Sequence, residues 1–223
     1  MKYKAIFFDI DDTILEYEKS AHIALNEVCT DMGIAFKEEY FRGFMDADKK
    51  FWDMQKAGIL KIHEVMDLRA EKTAEVMGIP ERAEFFRDIF LVKMRGCAVL
   101  ADGAADIVRY AYDKGYKLFT ASNGFLVMQT SRLKKAGLYD YFSDIFVSDD
   151  LGCEKPGGEF MKTALARCGF SAEESLMVGD SREADIKAAE NAGMDSCWFD
   201  RFDSGDSAGN FTVTALSELK NII

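Results

Sequence analysis

Carboxylates, one hydroxyl and one lysine recur in this chain at one kind of place, just beyond a short apolar run. Asp9, Asp11 and Asp12 follow Ile6-Phe7-Phe8, and Ser122-Asn123-Gly124 follow the run from Tyr116 to Thr120. Lys155-Pro156 comes beyond Ile145 to Val147, and Gly179-Asp180-Ser181 follows Ser175 to Val178, with Asp185 further on. Asp9 and Asp180 are hard oxygen donors that suit Mg²⁺, a cation seldom bound by an all-protein cage. Neither His nor Cys lies in these segments, which disfavours zinc. A carboxylate such as Asp9 can attack the phosphorus of a phosphate ester and carry the phosphoryl group as an acyl phosphate. The obstacle is electrostatic: like unit charges about 4 Å apart repel by roughly 4 kcal/mol at an effective dielectric near 20. Lys155 and a divalent cation supply the compensating charge, and Ser122 with the amides after it can hold the phosphoryl oxygens. Asp11, two residues beyond Asp9, shares its side of an extended chain. It can protonate the leaving oxygen and later take a proton from the attacking water.

Taken singly, these residues have plainer readings. An Asp at a strand end, such as Asp180, is often a cap or turn former, Ser122-Asn123-Gly124 is a turn signal, and a lone Lys155 is a solvated side chain. Their convergence on the same end of successive strands carries the argument, because open parallel sheets bind ligands at the carboxyl ends of their strands. His22 and His63 have no matching partner, and Gly157-Gly158 lacks the lysine and hydroxyl of a nucleotide phosphate loop. Cys153 reads as a packing residue.

The elements that must position these groups are legible in the hydrophobic pattern. Ile6 to Phe8, Tyr116 to Thr120, Ile145 to Val147, Ser175 to Val178 and Ser196 to Phe199 read as buried strands, with a shorter one at Phe211 to Val213. Helical patterns lie between them at Asp106–Lys114, Met128–Ala136, Phe160–Cys168 and Ala184–Ala192, each followed directly by glycine. This alternation predicts an α/β, Rossmann-like three-layer core with a mainly parallel sheet. Residues 17–96 break the rhythm: their apolar spacing is helical and fits about four helices. The expected organisation is therefore a core of 1–16 and 97–223 interrupted by an all-helical cap domain of 17–96, with hinges at Leu15 to Glu18 and Cys97 to Asp102.

Bulk properties narrow the partners. The chain has 223 residues, 48% of them hydrophobic, and a net charge of −11, which supplies a core and argues against nucleic-acid polymers and anionic membranes. Five scattered cysteines without a C-x-x-C pair point to reduced thiols and, with no signal-like or membrane-spanning run, to a cytoplasmic setting. A monomer or homodimer acting on a small phosphorylated metabolite is the expectation.

The ordered segments resemble the haloacid dehalogenase-like hydrolases that carry a helical cap after the first motif. Four motifs match in order: D-x-D-x-T at Asp9 to Thr13, Ser-Asn-Gly at Ser122 to Gly124, Lys-Pro at Lys155 to Pro156, and G-D-x-x-x-x-D at Gly179 to Asp185. The resemblance implies that Asp9 is the nucleophile, Asp11 the acid and base, and Lys155 a bridge between the phosphoryl group and Asp9. It implies that Asp9, the Asp11 carbonyl and Asp180 bind Mg²⁺, with Asp185 behind them, and that Asp12, Thr13, Ser122, Asn123 and Gly124 meet the substrate. Dehalogenases of the superfamily lack a carboxylate at the position of Asp11, so the resemblance implies phosphoryl transfer. A sugar phosphomutase is the alternative, although mutases usually carry Gly where this chain has Asp12; a non-catalytic phosphate-binding module is the third reading. The segment Lys49 to Gly58 and the stretch Gly193 to Phe199 are similar to house-cleaning pyrimidine 5′-nucleotidases. There Phe51 or Trp52 either stacks on a base or belongs to the cap core.

Overall fold

The computed structural model describes residues 2–223. Its organising element is β1 (Ala5–Phe8), all four of whose residues are buried. Four helices come next: α1 (Tyr17–Asp31), α2 (Glu38–Lys56), α3 (Ile62–Met77) and α4 (Ala83–Met94). The chain then alternates through α5 (Ala104–Asp113), β2 (Lys117–Ser122), α6 (Leu126–Lys135), β3 (Asp144–Val147), the short α7 (Ser148–Leu151) and α8 (Gly158–Cys168). It ends with β4 (Ser175–Gly179), a wider π turn over Arg182–Ile186 that leads into α9 (Lys187–Asn191), then β5 (Asp195–Phe199) and β6 (Phe211–Val213).

The six strands form one sheet in the order β3-β2-β1-β4-β5-β6, and every pairing is parallel. From β1 the chain builds outward through β2 and β3 on one side, then returns to build β4, β5 and β6 on the other. The strand order therefore reverses at β1, and the carboxyl end of β1 is where a parallel sheet of this kind binds its ligands. Residues alternate across the pleat, so Phe7 faces one layer and Ile6 and Phe8 the other. The rings of Phe7, Phe119 and Phe146 stack at centroid separations of 5.0, 5.6 and 6.1 Å, covered by Phe160 and Met161 of α8 and Ala188 and Ala189 of α9. Helices α5 and α6 pack on β2 and β3. Burial on both faces is why the strands read as continuous apolar runs. Each buried Phe contributes about 1.5–3 kcal/mol.

The chain divides into two compact units, Met1–Tyr17 with Val99–Ile223, and Glu18–Ala98. In the first, the outgoing and returning segments pair: Glu16 donates its amide to the Val99 carbonyl at 2.8 Å, and Ala101 donates to Ile14 at 2.9 Å. The second unit is helical, with a core built on aromatic rings and one ion pair. Phe44 and Phe90 meet at 4.7 Å, the Arg69 guanidinium lies about equally over both at 4.9 and 5.1 Å, and Arg69 Nη1 donates to Asp48 Oδ1 at 2.5 Å. Phe51 is buried in this unit and Trp52 is half-buried.

Sequence and structure differ at one helix. The pattern predicts a single α-helix from Ala184, whereas the structure has the π turn first and regular α geometry only from Lys187. The wider turn carries Asp185 inward, where it is 1% exposed. Periodicity alone does not reveal such a turn, because a single wide turn of five residues is too short to register its own period.

Candidate active site

Phe8 is level with Thr120 on β2 and with Val178 on β4. One step on, Asp9 is level with Ala121 and Gly179, and Ser122 and Asp180 lie one residue beyond those. The parallel register thus delivers Asp9, Ser122 and Asp180 to one edge of the sheet. Lys155 reaches the same edge from the loop before α8. Asn123 holds that loop from both sides: its Nδ2 donates to the Lys155 carbonyl at 2.8 Å, and the Lys155 amide donates to its Oδ1 at 2.8 Å.

The Lys155 ammonium is buried and donates to Asp9 Oδ1 at 2.8 Å, Asp185 Oδ1 at 2.5 Å and the Ala121 carbonyl at 2.5 Å. Asp185 Oδ2 accepts the Ser181 amide at 2.9 Å. Asp185 also explains the glycine at 179: a Cβ there would lie 2.3 Å from Asp185 Oδ2, so only glycine leaves room for the carboxylate. Lys155 engages one oxygen of Asp9, and no described residue donates to the other. Thr13 Oγ1 donates to Asp180 Oδ1 at 3.3 Å, and Trp198 Nε1 fixes the Asp180 carbonyl at 2.7 Å.

One carboxylate oxygen from each of Asp9, Asp180 and Asp185 lies within 4.8 Å of the others. The Lys155 ammonium lies among these three carboxyls and cannot balance all of them in their ionised forms. Burial pushes the Asp9 carboxyl up to about 8, opposed by Lys155 and reinforced by Asp185. Burial, then Asp185 and Asp9, likewise push Asp180 well above the usual carboxylate range. Burial pulls the Lys155 ammonium down, but Asp185 and Asp9 outweigh it and hold the group above its ordinary value. A hard, doubly charged cation matches both this donor set and this charge.

Asp11 takes other partners. Arg132 Nη1 donates to its Oδ1 at 2.6 Å and Gln129 Nε2 to its Oδ2 at 2.8 Å, both from α6. Asp12 and Thr13, expected to meet substrate, have protein partners in this structure. Asp12 sits at a positive φ of 61°, is ion-paired with Arg201 and accepts the Tyr17 amide at 3.1 Å. Thr13 is fully buried beneath Asp180. Gly124 donates its amide to Ser148 Oγ at 3.1 Å, so that N–H is not directed at a ligand. Ser122 accepts from Gln129 at 3.1 Å, which leaves its own hydroxyl hydrogen to donate.

Gln129, Arg132, Ser148, Trp198 and Arg201 were not singled out from the sequence. A faint signal existed for two of them: Gln129 and Arg132 are polar yet share the helix face of the apolar Leu133, and all three are buried.

A family model for haloacid dehalogenase-like hydrolases matches residues 3–193. The chain belongs to this family. Pyrimidine 5′-nucleotidase PynA of Streptococcus pneumoniae is 31% identical over 201 residues, covering 89% of this chain and 84% of that protein. Pyrimidine 5′-nucleotidase YjjG of Escherichia coli is 28% identical across 100% of this chain and 99% of its own length. Among solved structures, the hydrolase YfnB of Bacillus subtilis, bound to magnesium, superposes with a TM-score of 0.91 at 28% identity, covering 100% of this chain and 99% of that one. The hydrolase family accounts for the Rossmann-like core. No described helix is long and apolar enough to cross a membrane.

Proposed function

We propose that this chain is a magnesium-dependent phosphomonoesterase working through an acyl phosphate on Asp9, with nucleoside 5′-monophosphates as its substrates. The observation that carries the chemistry is the buried Lys155 ammonium shared between Asp9 and Asp185, beside Asp180 at the carboxyl end of the central strand. Asp9, Asp180 and the Asp11 carbonyl would hold Mg²⁺, which would supply positive charge against that of the phosphate dianion. Both oxygens of Asp185 already accept hydrogen bonds, which suits a carboxylate that orients Lys155 from behind the direct ligands.

The remaining work belongs to side chains. Lys155 fixes one oxygen of Asp9, and the other attacks phosphorus as the bond to the leaving oxygen breaks. Ser122 donates to a phosphoryl oxygen. Asp11 gives its proton to the leaving oxygen, so the alcohol departs neutral. Water then attacks the phosphorus of the acyl phosphate and gives Asp11 a proton, and the Asp9 carboxylate returns as inorganic phosphate leaves.

The nucleotide assignment is supported by the names of PynA and YjjG, which align with most or all of the chain. It is tested by phosphate release from nucleoside monophosphates, sugar phosphates and phosphoglycolate, with Mg²⁺ or with EDTA. Nucleoside 5′-monophosphates should give the highest kcat/KM, EDTA should abolish turnover, and Asp9→Asn should lower kcat by about a thousandfold or more. Turnover that survives EDTA or the loss of the Asp9 carboxylate contradicts the chemistry. An isomer formed from a sugar 1-phosphate with little free phosphate makes the chain a mutase instead.

A further inference from the structure

We propose that Gln129 and Arg132, one turn apart on α6, are positioning residues that hold the Asp11 carboxylate in place for proton transfer. This rests on the acid and base role given to Asp11 above.

Arg132 is the largest fully buried side chain, at 0% exposure. A guanidinium is costly to bury unless its charge is paired. The two hydrogens of Nη1 go to Asp11 Oδ1 at 2.6 Å and to Gln129 Oε1 at 3.0 Å. The two hydrogens of Gln129 Nε2 go to Asp11 Oδ2 at 2.8 Å and to Ser122 Oγ at 3.1 Å. Both oxygens of Asp11 are therefore fixed by one helix, and the planar Gln129 amide spans the gap between the Asp11 carboxylate and the Ser122 hydroxyl. The donor of the proton and the group that seats the phosphoryl oxygen are held at a distance set by that amide. Arg132 in turn orients the amide by donating to its oxygen, which leaves the NH₂ facing the site. Gly124 completes the arrangement: a Cβ there would lie 3.0 Å from Gln129 Nε2, so glycine keeps the space the amide occupies.

A purely structural tie between α6 and the segment after β1 would also produce these contacts, so the test reads the leaving group. Protonation matters for an alkyl phosphate, whose leaving oxygen is strongly basic, and matters little for p-nitrophenyl phosphate, which releases a stable phenolate. The measurement is kcat/KM, which reports steps through acyl phosphate formation, on the best alkyl phosphate of the panel above and on p-nitrophenyl phosphate. Gln129→Leu should lower kcat/KM about 100-fold on the alkyl ester and about threefold or less on p-nitrophenyl phosphate, within the range of a misplaced general acid. Asp11→Asn should show the same bias, and Arg132→Lys, which keeps the charge and loses the planar fork, should show a smaller one. Gly124→Ala reaches the same amide without deleting a buried polar group, so it keeps the test open if Gln129→Leu does not fold. Circular dichroism and thermal unfolding establish that each variant tested is folded.

Equal losses on both substrates in folded Gln129→Leu or Gly124→Ala, alongside a biased Asp11→Asn, overturn the positioning role and leave the acid and base role standing. An unbiased Asp11→Asn removes that role and the positioning proposal with it.

Discussion

At Asp9, Asp180 and Asp185 the protein concentrates more negative charge than Lys155 can balance, and the excess is visible in the carboxyls themselves. Burial raises Asp9 from its ordinary 3.8 to about 8. A folded-state value above the unfolded one means that the folded chain binds the proton more tightly, so ionisation works against folding. In EDTA, the native carboxyl thus destabilises the protein progressively as pH rises from about 4 to about 8, and by a constant amount above that. Asp9→Asn removes the ionisation. Its thermal midpoint in EDTA should exceed that of the wild type by a margin that widens across this window, and Mg²⁺ should raise the wild-type midpoint more than the variant's. A margin that narrows with rising pH contradicts the charge assignment. Residue types and their order pointed to these groups only because four segments converge on the carboxyl ends of successive strands, since a single strand-end carboxylate often serves as a cap. They did not expose the second use of individual groups. Thr13 and Asp12 belong to the same segment as Asp9, and the Thr13 hydroxyl goes to Asp180 while the Asp12 carboxylate goes to Arg201, a residue far along the chain.

Strands and helices were legible because a sheet buried on both faces leaves uninterrupted apolar runs, and most edges fell within two residues. Phe211–Val213 matches the sixth strand residue for residue. The π turn at Arg182–Ile186 was hidden, since it is dictated by where Asp185 must go and not by local propensity. Its tight fit yields a prediction. Gly179→Ala places a methyl against Asp185 and should cost about 1–3 kcal/mol of stability, as overpacking does, and should lower turnover by displacing Lys155. Urea unfolding and phosphate release measure the two effects; an alanine variant as stable and active as the wild type would show that Asp185 has room to move. In the helical unit, the ion pair of Asp48 and Arg69 is the comparable feature, enclosed by Phe44 and Phe90. Asp48→Ala leaves a buried guanidinium without its carboxylate and should cost about 3–5 kcal/mol in urea unfolding. A loss below about 1 kcal/mol, the range of an exposed pair, contradicts its burial.

Over the whole molecule, an acidic chain of net charge −11 handles an anionic substrate only where cations are local. Lys155 sits beside Asp9, Arg132 beside Asp11 and Arg201 beside Asp12. Sequence order made the first of these legible, because Lys155 belongs to a motif. Arg132 and Gln129 were not, because they lie 121 and 118 residues from Asp11 and meet it only through the sheet's strand order. The central claim is that Asp9 itself becomes phosphorylated. The direct measurement is an acid quench during turnover with Mg²⁺ and substrate, followed by mass spectrometry of the peptide bearing Asp9. A phosphoryl adduct on Asp9 that forms and decays at rates able to support kcat, and is absent in Asp9→Asn, is the predicted result. Steady turnover with no adduct on that peptide, or an adduct on another residue, would contradict it.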